Sequence, residues 1–178
     1  MPGLPPPPAG QYEFLSISLY LLNASGPTFG MGTKPMTLIV EPRDIRDVGT
    51  GLLDIVVPYT TPQLTRLALR KAEELASEIP SRIRVLRMQQ VPFPLDLPHS
   101  PVSLRIIQQQ TRQVARGISA SEITIYLTRD PDETLVKALR PGSILVIATR
   151  KRWWRTPQMR LKRLCEKNGF QVALVQSK

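Results

Sequence analysis

Histidine and cysteine are almost absent from this sequence, with His99 and Cys165 the single example of each. One cysteine cannot form an internal disulfide or a cysteine-based zinc site. One histidine and scattered acids cannot be assembled into a Ser-His-Asp, Cys-His or paired-acid arrangement. We therefore predict no catalytic residues, no metal site and no enzymatic activity. The thiol content fits a reducing, cytoplasmic setting, and His99, which lies among prolines, is interpreted as a loop residue.

Long apolar runs are missing as well. The apolar cluster at residues 14–22 falls short of the ~20 residues that a bilayer span needs, and no Lys or Arg precedes it. We expect neither a membrane span nor a signal peptide. The first 35 residues contain the run Pro5 to Pro8 and are rich in Gly, Pro and Ser. Residues 1–50 are therefore predicted to be a flexible or partly extended segment with one short strand at 36–41. Residues 51–178 form the predicted folded domain.

Charge of one sign dominates that domain. The formal net charge is +10, and it resides in residues 51–178 because the first 50 residues hold slightly more acids than bases. A strongly positive field favours anionic partners such as nucleotides or nucleic acid, and it says nothing about the fold.

Helix starts are the clearest local feature. A Ser, Thr or Asp stands directly before proline four times, at Thr61, Ser100, Asp130 and Thr156. The oxygen-bearing side chain can accept from a free helix N–H, and proline at the first helical position loses a donor that would have had no partner. These pairs predict helices at 62–79, 101–116, 131–139 and 157–168.

Short β-branched runs alternate with these helices and predict strands at 53–57, 82–88, 122–127, 143–148 and 171–175. Alternating arginines in the second run, Arg82, Arg84 and Arg87, favour a less buried position or an edge. Strands that lead repeatedly into capped helices are typical of a wound α/β domain. The predicted fold is a five-stranded parallel sheet flanked by helices in the order βαβαβαβαβ, with an irregular Pro-rich N-terminal extension.

Three motifs resemble the universal stress protein family: Leu53-Asp54-Ile55-Val56-Val57-Pro58, the Asp130-Pro131 turn, and Ser143-Ile144-Leu145-Val146-Ile147-Ala148-Thr149-Arg150. The similarity covers about residues 53–175. It implies a binding domain that is stress-related and commonly homodimeric. Members bind ATP or a related nucleotide, or bind nothing.

The family's glycine-rich phosphate loop, G-x-x-G-x9-G-[S/T], is missing. No glycine occurs between Gly142 and Gly169, and Thr60 stands near the position of the family's acidic residue. Glycines let backbone amides approach phosphate oxygens closely, so standard ATP binding is expected to be lost or altered. No cofactor is predicted, and a retained ATP or ADP switch stays an alternative.

A basic, tryptophan-containing segment replaces that loop at residues 150–163. It holds seven bases, no acid and two tryptophans. Arg and Lys can hold phosphates and Trp can stack on a base, which makes nucleic acid or another polyanion an alternative ligand. A solvated helix face with tryptophans covering the core explains the same residues. The candidate nucleotide- or anion-binding residues are Thr60, Thr149, Arg150, Lys151, Arg152, Trp153 and Arg155.

Three further features have simpler interpretations. Asp130, Asp132 and Glu133 resemble a magnesium cluster, but helix capping accounts for all three. Cys165 falls on an apolar helix face and is predicted to be a buried small hydrophobe. The apolar strand at 171–175 is expected to lie at an exposed edge of the sheet and to pair with its copy in a homodimer.

Overall fold

The computed structural model describes residues 15–20, 52–97, 100–118, 122–150 and 156–177. Within those ranges the chain forms six strands and four helices. In chain order they are β1 (Leu15–Tyr20), β2 (Leu53–Pro58), α1 (Pro62–Glu78), β3 (Ser81–Gln90), α2 (Leu104–Ala115), β4 (Glu122–Thr128), α3 (Pro131–Ala138), β5 (Ile144–Arg150), α4 (Pro157–Lys167) and β6 (Gln171–Ser177).

Three of the four predicted caps are confirmed. The backbone N–H of Leu64 donates to Thr61 Oγ1 at 3.4 Å, and that of Met159 donates to Thr156 Oγ1 at 3.4 Å. Asp130 Oδ1 accepts from two backbone N–H groups, both at 3.0 Å. In all three helices proline occupies the first turn, where its missing donor costs nothing.

The fourth predicted cap, Ser100-Pro101, is wrong. Helix α2 begins at Leu104, with Ser103 at the N-cap and no side-chain capping hydrogen bond. Ser100 Oγ instead accepts from the backbone N–H of Val102 at 3.4 Å. Serine side chains can accept from nearby backbone donors in turns as well as at helix starts. Ser100 does so in a turn that precedes α2.

The predicted parallel sheet is confirmed, with a sixth strand added. The order across the sheet is β1-β4-β3-β2-β5-β6, in which the five strands from β4 to β6 are parallel. β1 pairs antiparallel with β4, from Leu15 opposite Leu127 to Tyr20 opposite Glu122. The expected N-terminal tail therefore contributes an edge strand that local composition did not predict. The strand predicted at 36–41 lies outside the described residues.

The sheet is buried on both faces. Ile55 and Val57 face α1 and α2, whereas Val56 faces α3 and α4, and all three are 0% exposed. Successive side chains of a strand point to opposite faces, so a run of apolar residues requires cover on both sides. None of the helices in the described ranges combines the length and the apolar character needed to cross a bilayer.

The prediction that the arginine-rich strand lies at an edge is wrong. This strand, β3, pairs with β2 on one side and β4 on the other, and Arg84 is only 4% exposed. The reason is a buried counter-charge: Asp54, 7% exposed, lies on the neighbouring strand β2. Two of the three arginines, Arg82 and Arg84, therefore belong to an ion pair with a buried carboxylate.

Asp54 is the centre of this polar cluster. Arg84 donates from Nε to Oδ1 at 2.8 Å and from Nη2 to Oδ2, which makes the contact bidentate. Ser143 Oγ donates to Oδ2 at 3.0 Å, and Arg82 Nε lies 3.3 Å from Oδ1. Burial would lower the pKa of Arg84, but the hydrogen bond and charge of Asp54 outweigh it and raise that pKa. The cluster ties β2 and β3 to the turn before β5.

Replacing Asp54 with alanine tests this cluster. Asp54→Ala leaves the Arg84 guanidinium buried without a counter-charge, so the free energy of unfolding should fall by about 3 to 5 kcal/mol. The control is Glu74→Ala, which removes the exposed pair with Lys71 and should cost less than about 1 kcal/mol. Urea unfolding measures both, and equal losses in the two variants would show that the buried pair does not stabilise the fold.

Candidate functional site

The candidate site lies where the winding of the sheet reverses. The chain runs from β2 through β3 to β4, then crosses back to β5 on the other side of β2. Parallel α/β sheets open a crevice at the carboxyl ends of the strands that flank such a reversal. Thr60 follows β2, while Thr149 and Arg150 end β5. Three predicted site residues therefore lie at the carboxyl ends of the two strands that flank this point, which we call the switch-point crevice.

Thr60 is held by the first turn of α1. Its backbone N–H donates to Thr65 Oγ1 at 3.0 Å, and Thr65 is itself 1% exposed. Thr60 is half-buried. This hydrogen bond fixes the backbone of Thr60 just beyond β2. The N-cap of α1 is Thr61, so the side chain of Thr60 is not used for capping.

Thr149 and Arg150 differ in accessibility. Thr149 is 0% exposed, and its Oγ1 lies 3.5 Å from Thr156 Oγ1, the N-cap of α4. Arg150, the next residue, is exposed. The Thr149 hydroxyl thus faces inward and links β5 to the start of α4, whereas Arg150 presents a cation at the same end of the strand. The other four predicted residues, Lys151, Arg152, Trp153 and Arg155, lie outside the described residues.

Two described bases of the 150–163 segment have acidic partners. Arg160 Nη2 lies 2.9 Å from Asp132 Oδ2 of α3, and Lys162 pairs with Glu166 one turn along α4. The segment itself contains no acid. The tertiary fold nevertheless brings a carboxylate to Arg160 from another helix.

Arg87 and Tyr59 lie beside the crevice on the α1/α2 face. The guanidinium carbon of Arg87 lies 4.3 Å from the centre of the Tyr59 ring, in cation–π contact. Arg87 Nη1 donates to Ile107 O at 3.2 Å and to Thr111 Oγ1 at 3.0 Å. Burial lowers the pKa of Arg87. The side chain thus joins β3 to α2 and fixes the ring that follows β2.

Arg129 fastens a second loop at the carboxyl edge, and sequence reasoning missed it. Its Nη1 donates to Val91 O at 2.7 Å, and its Nη2 donates to Leu95 O. The guanidinium also lies 4.2 Å from the ring centre of Phe93, which is 82% exposed. One arginine after β4 therefore holds loop 91–97 after β3. No sequence spacing relates these residues, because the contact depends on the pairing of β3 with β4.

The acidic residues of α3 are engaged as caps and ion pairs. Asp130 caps the helix, Glu133 lies 2.8 Å from Lys137, and Asp132 pairs with Arg160. The predicted role of Asp130 in capping is confirmed. Within the described ranges no group of three His, Cys, Asp or Glu residues is placed to hold a metal ion.

Cys165 is 0% exposed and packs in the apolar layer between the sheet and α3/α4. Burial raises the pKa of its thiol to about 11, with smaller contributions from Asp132 and Glu166. A thiol with this pKa is protonated at neutral pH and is a poor nucleophile. The prediction of a buried small hydrophobe is confirmed.

No family model and no curated protein matches this chain. Among solved structures it is similar to the universal stress protein from Archaeoglobus fulgidus, at 17% identity and a TM-score of 0.48 over 69% of this chain and 93% of that one. It is also similar to a macrolide-efflux protein from Streptococcus pneumoniae, at 15% identity and a TM-score of 0.44 over 74% and 47% of the two chains. Likeness at this level does not establish a family.

The Arg129 contacts give a direct prediction about loop 91–97. Arg129→Ala removes two hydrogen bonds to carbonyl oxygens and the stacking on Phe93, so amides of this loop should exchange with solvent faster. Hydrogen–deuterium exchange with mass spectrometry measures the effect. Arg70→Ala, at an exposed position on α1, is the control and should leave the loop unchanged. Unaltered exchange of the loop in Arg129→Ala would contradict the assigned role.

Proposed function

We propose that this chain is a non-enzymatic, stress-related binding domain of the universal stress protein type, that it works as a homodimer, and that it has lost the family's standard ATP site. The parallel sheet with its reversal between β2 and β5 supports this proposal. So do the family-like motifs at β2, the Asp130 turn and β5. The main observation in favour of the loss of the ATP site is the short, glycine-free connection between β5 and α4.

That connection is too short for the family's phosphate loop. β5 ends at Arg150 and α4 begins at Pro157, so residues 151–156 alone join them. The family pattern G-x-x-G-x9-G-[S/T] needs more than twice that length and three glycines, and this segment has none. Without glycine, backbone amides cannot readily adopt the conformations that wrap a phosphate. Both the length and the residues therefore argue against a standard triphosphate site.

The homodimer proposal is supported by the position of β6. Among the described strands it has a neighbour on one side only, β5, and it ends the sheet. Val172, Ala173, Leu174 and Val175 are each half-buried. An apolar edge strand with unpaired backbone groups is a ready surface for pairing with a second copy.

Binding of a polyanion through residues 150–163 is the weaker candidate. Arg160 and Lys162 already pair with Asp132 and Glu166, so two of the described charges are offset within the domain. Exposed ion pairs are individually weak, yet each reduces the positive potential that would attract a phosphate.

Calorimetry tests the loss of the ATP site. We expect no binding heat when ATP or ADP is titrated at millimolar concentration, with or without magnesium, because the sequence lacks the glycines of the family's phosphate loop. Inorganic triphosphate serves as the control, since Arg150 could hold any polyphosphate by charge alone. Saturable ATP binding that triphosphate does not reproduce would contradict the proposal.

Paired charges at the edge of β6 test the homodimer. In a two-fold symmetric antiparallel pairing centred on Leu174, exposed Gln171 lies opposite Ser177 of the second copy, because residues that face each other must point to the same side of the sheet. Gln171→Glu with Ser177→Glu should weaken the dimer, because like charges directly opposite repel. Gln171→Lys with Ser177→Glu places opposite charges together and should restore it.

Light scattering coupled to size-exclusion chromatography measures the mass of each variant at tens of micromolar. The unmodified protein should elute as a dimer and the double-glutamate variant as a monomer. A monomeric unmodified protein would rule out this assembly, and equal dimer masses in both charge variants would place the interface elsewhere.

A further inference from the structure

Helix α2 presents a stripe of arginine and glutamine on the side away from the sheet. Its core face holds Ile107, Gln108, Thr111, Val114 and Ala115, all buried. The exposed side of the helix, together with the edge of Gln108, lines a groove of about 530 Å³. The residues that line it follow helical spacing along the helix: Arg105, Gln108, Gln109, Arg112, Gln113 and Arg116.

The positive charge extends from α2 to α1. Arg66 of α1 donates from Nη2 to Gln113 O at 3.2 Å, which places a fourth arginine beside the stripe. Arg66, Arg105, Arg112 and Arg116 are all exposed, and we call them the α1/α2 arginine surface. The sequence contains no Asp or Glu from residue 97 to residue 121, so the acids of this face lie on α1, at Glu73, Glu74 and Glu78.

We propose that the α1/α2 arginine surface binds the sugar-phosphate backbone of a nucleic acid. Arg105 to Arg116 span about 16 Å at the α-helical rise per residue. A duplex carries one phosphate per ~1.7 Å of axis, so several phosphates lie within reach of these three guanidinium groups. Arginine holds phosphate oxygens bidentately, and the charged residues that line the groove are all arginines.

The glutamines distinguish a nucleic acid from other anionic partners. Gln109 and Gln113 are exposed between the arginines, and each amide both donates and accepts, as sugar hydroxyls and base edges do. An acidic peptide offers carboxylates, which only accept. An anionic membrane surface favours a broad apolar or aromatic face alongside the bases, whereas the described residues of the groove are Arg and Gln and α2 exposes one large apolar side chain, Ile106. The mixed polar chemistry favours a nucleic acid.

The α1/α2 arginine surface lies on the face of the sheet opposite α4, which holds residues 157–163. α1 and α2 cover one face of the sheet, and α3 and α4 cover the other. Neutralising charges on one face therefore leaves the other face intact, which makes a matched comparison possible within the same chain.

Fluorescence anisotropy with labelled 20-nucleotide single-stranded RNA and with duplex DNA of the same length tests the proposal. The test variant combines Arg105→Gln, Arg112→Gln and Arg116→Gln. The control combines Lys137→Gln, Arg163→Gln and Lys167→Gln, three exposed positions on α3 and α4, and it has the same net charge. Circular dichroism melts check that both variants fold.

The unmodified protein should bind at least one of the two oligonucleotides, with affinity that falls steeply with salt. The test variant should bind about tenfold or more weakly, with a salt slope reduced by about 2 to 3, since about one unit of slope is lost for each phosphate contact removed. The control should keep most of the affinity and slope.

Four outcomes would overturn the proposal. Equal losses in the two variants would show an effect of net charge without a site. Loss in the control alone would place the site on the α3/α4 face. Binding of neither oligonucleotide at 50 mM salt, or equal binding of a polyglutamate peptide, would exclude recognition of a nucleic acid by this surface.

Discussion

The whole architecture depends on the burial of one parallel sheet on both of its faces. β2 shows the constraint most clearly, because Ile55 and Val57 point to one side, Val56 points to the other, and none is exposed. Helices must therefore cover both layers, and each crossover between parallel strands supplies one. With both faces covered, the surfaces left for binding are the carboxyl edge, the outer strand β6 and the outward sides of the helices.

The two ends of β2 have different roles in the structure. Its amino end carries Asp54, which is enclosed by Arg84 and Ser143 and joins three segments of chain. Its carboxyl end leads through Tyr59 and Thr60 into the crevice where the winding reverses. A buried ion pair is stable only when its partners are held in place. A single strand thus carries the buried ion pair at its amino end and leads into the candidate binding crevice at its carboxyl end.

Arginine serves three purposes in this domain, and the purposes differ in how deeply the side chain is buried. Arg84 is an internal counter-charge, Arg87 and Arg129 join loops and helices through carbonyl oxygens and aromatic rings, and the arginines of α2 face outward. A net charge of +10 therefore includes cations that the fold uses internally. The charge that remains outside is concentrated by helical spacing, which is why α2 carries the polyanion proposal although the 150–163 segment is richer in bases.

Local sequence determined the helix starts at Thr61, Asp130 and Thr156, the α/β alternation and the burial of Cys165, because capping and apolar periodicity act over a few residues. It failed where distant segments compete for the same groups. From sequence alone Arg84 is expected at an edge of the sheet, but Asp54 of the neighbouring strand is its buried partner. The acidic partner of Arg160, Asp132, comes from another helix. Strand β1 forms by pairing with the edge of β4, which local sequence does not reveal. Strand order and ion pairing are long-range contacts, so only the tertiary structure decided them.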